Sequence, residues 1–257
     1  MRKLDTVKEL VKKEGFLKSL SIVSKHICLT LYGKIAFREP YQPPSDNNQY
    51  NEIRKLSGDD TDISDHLTFM FEESLRNNPS TIVELGVRGG VSSAVFRRVS
   101  EICGSDLISV DLQDCSDALD YEDWYFIQRD DLEFAGEFKE WSQENGLKDE
   151  VDILFIDTSH EHEHTKEEIE SWFPHLASNG IVFFHDTNLS GFYFREDGSV
   201  GKAWDNDRGV IGAIEELIGC SLDEKKRFST IKSGFLIRHN PYCNGMTMLK
   251  KLDCVDI

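Results

Sequence analysis

The chain reads as an α/β protein. It is expected to form a Rossmann-like seven-stranded, mostly parallel sheet with helices on both faces and the last strand antiparallel, preceded by an N-terminal helical arm. Three observations carry that reading. From Thr81 onward, short β-branched and aromatic runs alternate with helix-length amphipathic stretches, the pattern that builds parallel sheets. A glycine-rich turn, Gly86-Val-Arg-Gly-Gly, joins the first such run to the first helix. The later runs end on acids, at Asp111, Asp130, Asp157 and His185-Asp186, and the carboxyl ends of parallel strands are where open α/β sheets bind ligands.

Taken in order, residues 1–38 come first. They hold nine Lys or Arg against three Asp or Glu, about +6 net, in a chain whose total is −18. Leu4, Val7, Leu10 and Val11 share one helical face, as do Phe16, Leu20, Val23 and Ile27 after Gly15. A basic amphipathic helix suits an anionic membrane surface. The stripe is broken by Gly15 and has no Trp, which favours packing on the body of the protein or on a second copy, as in a homo-oligomer. Residues 39–51 carry Pro40, Pro43 and Pro44 and read as a linker. The domain division is therefore 1–60 for the arm and linker and 61–257 for the α/β body. A helix is expected from Asp62-Ile-Ser-Asp to about Asn77, with Asp62 or Ser64 as its cap.

The body then alternates. Strands are expected at Thr81–Leu85, Leu107–Leu112, Trp124–Gln128, Val151–Ile156 and Gly180–Phe184. Helices are expected at about 90–102, 131–144, 163–176 and 207–218. Two closing strands, Lys226–Lys232 and Gly234–His239, meet at a tight Ser233-Gly234 turn.

Composition bounds the function. The 257 residues suffice for one sizeable domain with an appendage, and a hydrophobic share of 39% supports a buried core. A net charge of −18 argues against nucleic acid as a substrate. No apolar run approaches the roughly 20 residues that span a bilayer, and lysines interrupt any leader-like stretch behind Met1, so a cytoplasmic protein is expected. The six cysteines (28, 103, 115, 220, 243 and 254) form no Cys-x-x-Cys pair and read as reduced thiols, with Cys243 and Cys254 near enough in sequence to allow pairing.

The turn after the first strand narrows the cofactor. Gly86, Gly89 and Gly90 let backbone approach a ligand closely. A carboxylate at Glu84 would repel a diphosphate and attract a sulfonium, which points to S-adenosylmethionine over a dinucleotide. The candidate cofactor-binding residues are Glu84, Gly86, Arg88, Gly89 and Ser92 around the turn, then Asp111 for ribose hydroxyls, Asp130 and Asp157.

The segments Val83-Glu-Leu-Gly-Val-Arg-Gly-Gly, Ser109-Val-Asp, Phe126-Ile-Gln-Arg-Asp, Leu154-Phe-Ile-Asp-Thr-Ser-His and Val182-Phe-Phe-His-Asp-Thr-Asn occur in that order. With them the chain, over about residues 60 to 257, resembles the class I S-adenosylmethionine-dependent methyltransferases. Within that class it is similar to the cephalosporin-hydroxylase-like and macrolide-sugar O-methyltransferase group. The resemblance implies methyl transfer to a hydroxyl of a small molecule such as a sugar or glycosylated metabolite. Arg129 stands where many relatives have Gly, Thr158-Ser159 where Gly-Asp is usual, and His162 where Tyr is common. These departures bear on the substrate more than on the class.

Deprotonating a hydroxyl at neutral pH takes a base or a metal. Candidates gather after the fourth and fifth strands as Asp157, His160, His162, His164, His185, Asp186 and Asn188. Asp157 and Asp186 at neighbouring strand ends form a hard-oxygen site for Mg or Mn. The resemblance implies a metal at those two acids, with His185 as a third ligand at a position that is often acidic in relatives. Asp157 and His160 are the candidate catalytic groups, His160 as the base. Asp157 is also compatible with a helix-capping role without metal. His162 and His164 are expected on the first turn of a solvated helix, and the His-Glu alternation there lacks a closed zinc spacing. Phe192, Tyr193, Phe194 and Trp204, in an insertion after the fifth strand, suit either an acceptor pocket or ordinary loop packing. The rival functions are a nicotinamide-dependent oxidoreductase or epimerase, which would need Gly-x-Gly-x-x-Gly, a non-catalytic scaffold on the cofactor fold, and an iron hydroxylase.

Overall fold

A computed structural model of the chain describes Lys12 and residues 50–59, 61–189, 192–194, 200–202 and 208–252. Most of the N-terminal arm, the proline-rich linker, Trp204, Cys28 and Cys254 lie outside the described residues. So do the side chains of Phe192, Tyr193 and Phe194.

An eight-stranded sheet organises the body, with strands β1 (Thr81–Leu85), β2 (Asp106–Asp111), β3 (Trp124–Gln128), β4 (Val151–Ile156), β5 (Leu176–His185), β8 (Phe228–Lys232), β9 (Phe235–Asn240) and β10 (Met246–Lys251). β6 (Phe192–Phe194) and β7 (Val200–Lys202) form a separate antiparallel pair. The sheet order is β3-β2-β1-β4-β5-β10-β9-β8. The five strands from β3 to β5 are mutually parallel, and β10, β9 and β8 are joined antiparallel. The fold class is thus as expected, but with one strand more. The sequence reading omits β10, which lies between β5 and β9, not at an edge. β8 and β9 meet at Ser233 and Gly234, both at positive φ (49° and 79°), as a two-residue hairpin turn of that twist requires.

Alternation along each strand divides the core into two layers. Ile82, Leu107, Ile153, Phe155, Ile181 and Phe183 face one way and pack on α1 (Asn51–Ser57), α2 (Leu67–Asn77) and α3 (Val91–Cys103) through Ile53, Phe71 and Phe96. Val83, Leu85, Ile108, Val110, Leu154, Val182 and Phe184 face the other way. They meet α4 (Asp131–Glu144), α5 (His162–Trp172) and α6 (Gly209–Ile218) through Phe134, Phe138, Trp172 and Ile211. Both layers are sealed, since the largest of these side chains are wholly buried.

Helix boundaries follow local chemistry. Asp130 caps α4, its Oδ1 accepting from the backbone N–H of Leu132 and Glu133 at 3.0 Å each. Gly104 ends α3 at φ +70°, its N–H returning to the Ser100 carbonyl. The expected cap at Asp62 or Ser64 is not formed. Ser64–His66 is a short 3-10 turn, α2 starts at Leu67, and Ser64 instead donates to the Thr61 carbonyl. Among the described helices, none is long and apolar enough to cross a membrane. Among the described residues, Cys103, Cys115 and Cys220 form no disulfide.

Candidate active site

The turn after β1 is held from below and from the side. Gly86 has φ +90°, and a Cβ there would sit 2.2 Å from the backbone oxygen of Asp157. The end of β1 therefore lies directly on the end of β4, where the Asp157 N–H donates to the Leu85 carbonyl. Asp111, at the end of β2, accepts the N–H groups of Val87 (2.8 Å) and Arg88 (3.2 Å) on Oδ2 and that of Gln113 (2.8 Å) on Oδ1. Its carboxylate fixes the shape of the glycine turn. Arg88 reaches out to Asp62 at 3.1 Å. Gly89 has no atom within 4 Å of a built Cβ, so the turn is open on that side.

Glu84 departs from the expected geometry. It shares the face of Ile82, under α3, and is wholly buried. Its carboxylate accepts from the hydroxyls of Ser92 (2.6 Å), Ser93 (2.8 Å) and Ser109 (2.6 Å). Burial pushes its pKa up to about 7, while the three serine hydroxyls pull the other way. Glu84 thus does not face a ligand as the sulfonium argument supposes. It ties β1, the first turn of α3 and β2 together beneath the turn. Ser92 is likewise buried and spent on Glu84.

The second group of residues lies where β4 and β5 end. His160 Nε2 is 2.8 Å from Asp186 Oδ2 and 3.4 Å from Asp157 Oδ1. Ligand atoms of Asp157, His160 and Asp186 all lie within 4.8 Å of one another. Asp186 is almost wholly buried, and its Oδ1 has no hydrogen-bond partner among the described residues. His160 and Asp186 both hold left-handed backbone, at φ 62° and 55°. For residues with a Cβ such a conformation costs on the order of 1 kcal/mol each, and it recurs where function fixes a geometry.

His185 plays a different part from the one expected. Its Nε2 faces the carbonyls of Asp62 (3.1 Å) and Cys243 (3.3 Å), and its Nδ1 faces Asp157 Oδ1 (3.2 Å). Carbonyls only accept, so Nε2 carries a proton, and Nδ1 donates to the carboxylate. With both nitrogens so used, His185 orients Asp157, and His160 is the imidazole grouped with the two acids. Burial alone would lower the His185 pKa, but the Asp186 and Asp157 carboxylates prevail and raise it to about 10. Burial and the same two acids also oppose each other at His160, and the net effect holds it well above its usual range. Burial would raise both carboxyls. The imidazoles keep Asp157 and Asp186 below the ordinary carboxylate range instead.

Three contributors were not foreseen. The Asp62 carbonyl and the Cys243 carbonyl hold His185. His66 is wholly buried, with its ring 5.9 Å from that of His185 and its Nε2 2.8 Å from the Tyr242 carbonyl. Burial first, and then the charge on His185, lower its pKa to about 3. None of them has a local sequence signature, since each acts through backbone contacts across more than fifty residues of chain. His162 is also buried, not solvated, beside Glu216 at 3.2 Å. Arg129 turns away along α4 to a two-pronged ion pair with Glu137 (2.6 and 2.9 Å). Asn188 caps no ligand group here. It donates to the Pro241 carbonyl at 2.9 Å.

The site thus sits on a parallel sheet with a glycine turn after β1, acids at the following strand ends and an antiparallel return strand. Residues 83–187, from within β1 to just past β5, match the family model described as a methyltransferase domain. The chain is similar in structure to the MycE methyltransferase from the mycinamycin biosynthetic pathway, solved with Mg and SAH. That likeness has 18% identity and a TM-score of 0.54 over 82% of this chain and 56% of that one. It is also similar to an SAH-bound O-methyltransferase from Bacillus cereus, with 14% identity and a TM-score of 0.50 over 86% and 96% of the two chains. The SAH-bound methyltransferase PaMTH1 from Podospora anserina gives 12% identity and a TM-score of 0.50 over 90% and 96%. At these identities the likeness is one of fold. No curated protein matches the chain in sequence.

Proposed function

We propose that the protein is an O-methyltransferase that methylates a hydroxyl of a small molecule, such as a sugar or glycosylated metabolite, with the help of Mg or Mn. The observation that carries the reading is the group Asp157, His160 and Asp186 at the mouth of the glycine turn, with one buried Asp186 oxygen unpartnered. Two carboxylates and an imidazole at that spacing fit a divalent cation. The MycE structure was solved with Mg.

S-adenosylmethionine, when bound, supplies a methyl group on a sulfonium. Gly89 leaves the turn bare for its approach, Gly86 lets the turn close down on the end of β4, Asp111 keeps that turn in shape, and Arg88, Asp130 and Asp157 border the cleft. A divalent cation, when bound, fixes a hydroxyl and lowers its pKa. Asp157, Asp186 and His160 would hold it, with His185 keeping Asp157 in place. A second reading rests on the same His160–Asp186 pair. In it His160 takes the hydroxyl proton with no cation involved.

The test is formation of S-adenosylhomocysteine with a panel of hydroxylated sugars, with and without EDTA, then with Mg or Mn restored, in wild type and Asp186→Asn. Loss in the chelator, rescue by the cation and an inactive Asp186→Asn are expected. Full activity in EDTA with Asp186→Asn unaffected would remove the cation and leave His160 as base. Tight binding of a nicotinamide cofactor and none of the methyl donor would overturn the function. Donor binding with no transfer to any acceptor would favour the scaffold.

A further inference from the structure

A second cluster lies where α4 and α5 begin, separate from the three residues just described. It joins the first turns of α4 and α5. Asp131 opens α4, and His164 and Glu168 stand four residues apart on one face of α5. His164 Nε2 is 3.3 Å from Asp131 Oδ1 and 3.7 Å from Glu168 Oε1. One ligand atom from each of the three lies within 4.8 Å of the others.

The burial of these groups is what calls for a ligand. The Glu168 side chain is 0% exposed and that of Asp131 is 9% exposed. Glu168 Oε2 and Asp131 Oδ2 have no hydrogen-bond partner among the described residues. One oxygen of each carboxyl group lies within 4.8 Å of the other. Two carboxylates buried that near each other cannot both be charged without a positive partner. His164 gives only one such partner, and it leaves both orphaned oxygens unsatisfied. Thr158 donates to Glu168 Oε1 at 2.7 Å, which fixes that carboxylate as an outer-sphere group would. The His164 ring is 23% exposed, so the cluster has an entry path from solvent.

We propose that Asp131, His164 and Glu168 form a second divalent-cation site, one that pins the start of α4 to α5. One imidazole and two carboxylates suit a first-row ion such as Mn²⁺ or Zn²⁺. The role is structural. Asp131 directly follows Asp130, and Thr158 directly follows Asp157, so an ion here braces both cofactor-side loops without touching the reacting atoms.

The experiment uses the full chain stripped with EDTA and desalted, with Zn²⁺ alone as the probe. Asp186→Asn removes the first cluster from the count. In that variant one equivalent of Zn²⁺ should still bind by titration calorimetry and raise Tm by several degrees. Adding Glu168→Gln should abolish both effects, and Asp131→Asn serves in its place if the glutamine variant fails to fold. No Zn²⁺ binding to a folded Asp186→Asn protein would overturn the proposal, the cluster then being held by a proton. So would binding that survives both Glu168→Gln and Asp131→Asn. Because EDTA strips both ions, the two proposals are told apart by the variants: Asp186→Asn removes the cation of the transfer site alone, and Glu168→Gln removes this one alone.

Discussion

Replacing Gly86 with alanine tests the central contact of the fold and site together. The residue has φ +90°, a conformation that costs a Cβ-bearing residue about 1–2 kcal/mol. The new methyl would also lie 2.2 Å from the Asp157 backbone oxygen. Neither partner is a flexible side-chain tip. Relief must separate β1 from β4, and the first bond at risk is Asp157 N–H to the Leu85 carbonyl, at 2.9 Å, worth about 1 kcal/mol net. Strain, clash and lost bond together predict about 3–4 kcal/mol. For a domain of this size that lowers Tm by roughly 10 °C, and donor binding should be lost with it. Gly89→Ala is the matched control. A Cβ there meets nothing within 4 Å, so stability should change by less than about 0.5 kcal/mol. Binding should still weaken if the donor lies over the open side of the turn. Chemical unfolding gives the stabilities and titration calorimetry with S-adenosylmethionine gives the affinities. A Gly86→Ala protein that melts within about 2 °C of wild type and binds the donor normally would refute the argument.

Further outcomes follow from the buried charges and the core. The Glu84 pKa is raised in the fold, from 4.5 to about 7, so its contribution is fully present below about pH 4.5 and lost as pH rises through about 7. The difference is about 3 kcal/mol by linkage. Urea unfolding from pH 5 to 8 should show wild type losing stability relative to Glu84→Gln over that window, and parallel curves would contradict the burial argument. His185→Ala leaves the Asp62 and Cys243 carbonyls without their buried donor. It should cost about 2–3 kcal/mol and, by freeing Asp157, lower kcat more than it raises KM for the donor. Trp172→Ala, at a wholly buried position, should cost about 3–5 kcal/mol in chemical unfolding.

The parallel half of the sheet was legible because its signals are local. Thr81–Leu85, Trp124–Gln128 and Val151–Ile156 are apolar runs of strand length, and the structure places β1, β3 and β4 on those same residues. β10 was not legible. Met246-Thr-Met-Leu-Lys-Lys ends in two lysines and has no β-branched run, so nothing in it announces a strand buried between two others. The site divides along the same line. Asp157, His160 and Asp186 follow strand ends and could be nominated. The hold on His185 could not, because it depends on the Asp62 and Cys243 carbonyls reaching one ring from distant parts of the chain. Glu84 was misplaced for a simpler reason. Its strand parity puts it on the face of Ile82, under α3, where three serines wait for it.

The position of β10 has a bearing on how the molecule is made. A ribosome releases β5 well before β10, and β5 is a ten-residue strand with most of its side chains apolar and buried in the finished protein. Until Met246–Lys251 emerges and slots in, one whole edge of β5 has no backbone partner. The hairpin of β8 and β9, though already synthesised, has no place to dock, since it joins the sheet only through β10. An unpaired apolar edge is a template for pairing with other chains. The nascent protein is therefore most exposed to aggregation late in its synthesis, and a chain cut short before Met246 keeps that edge open.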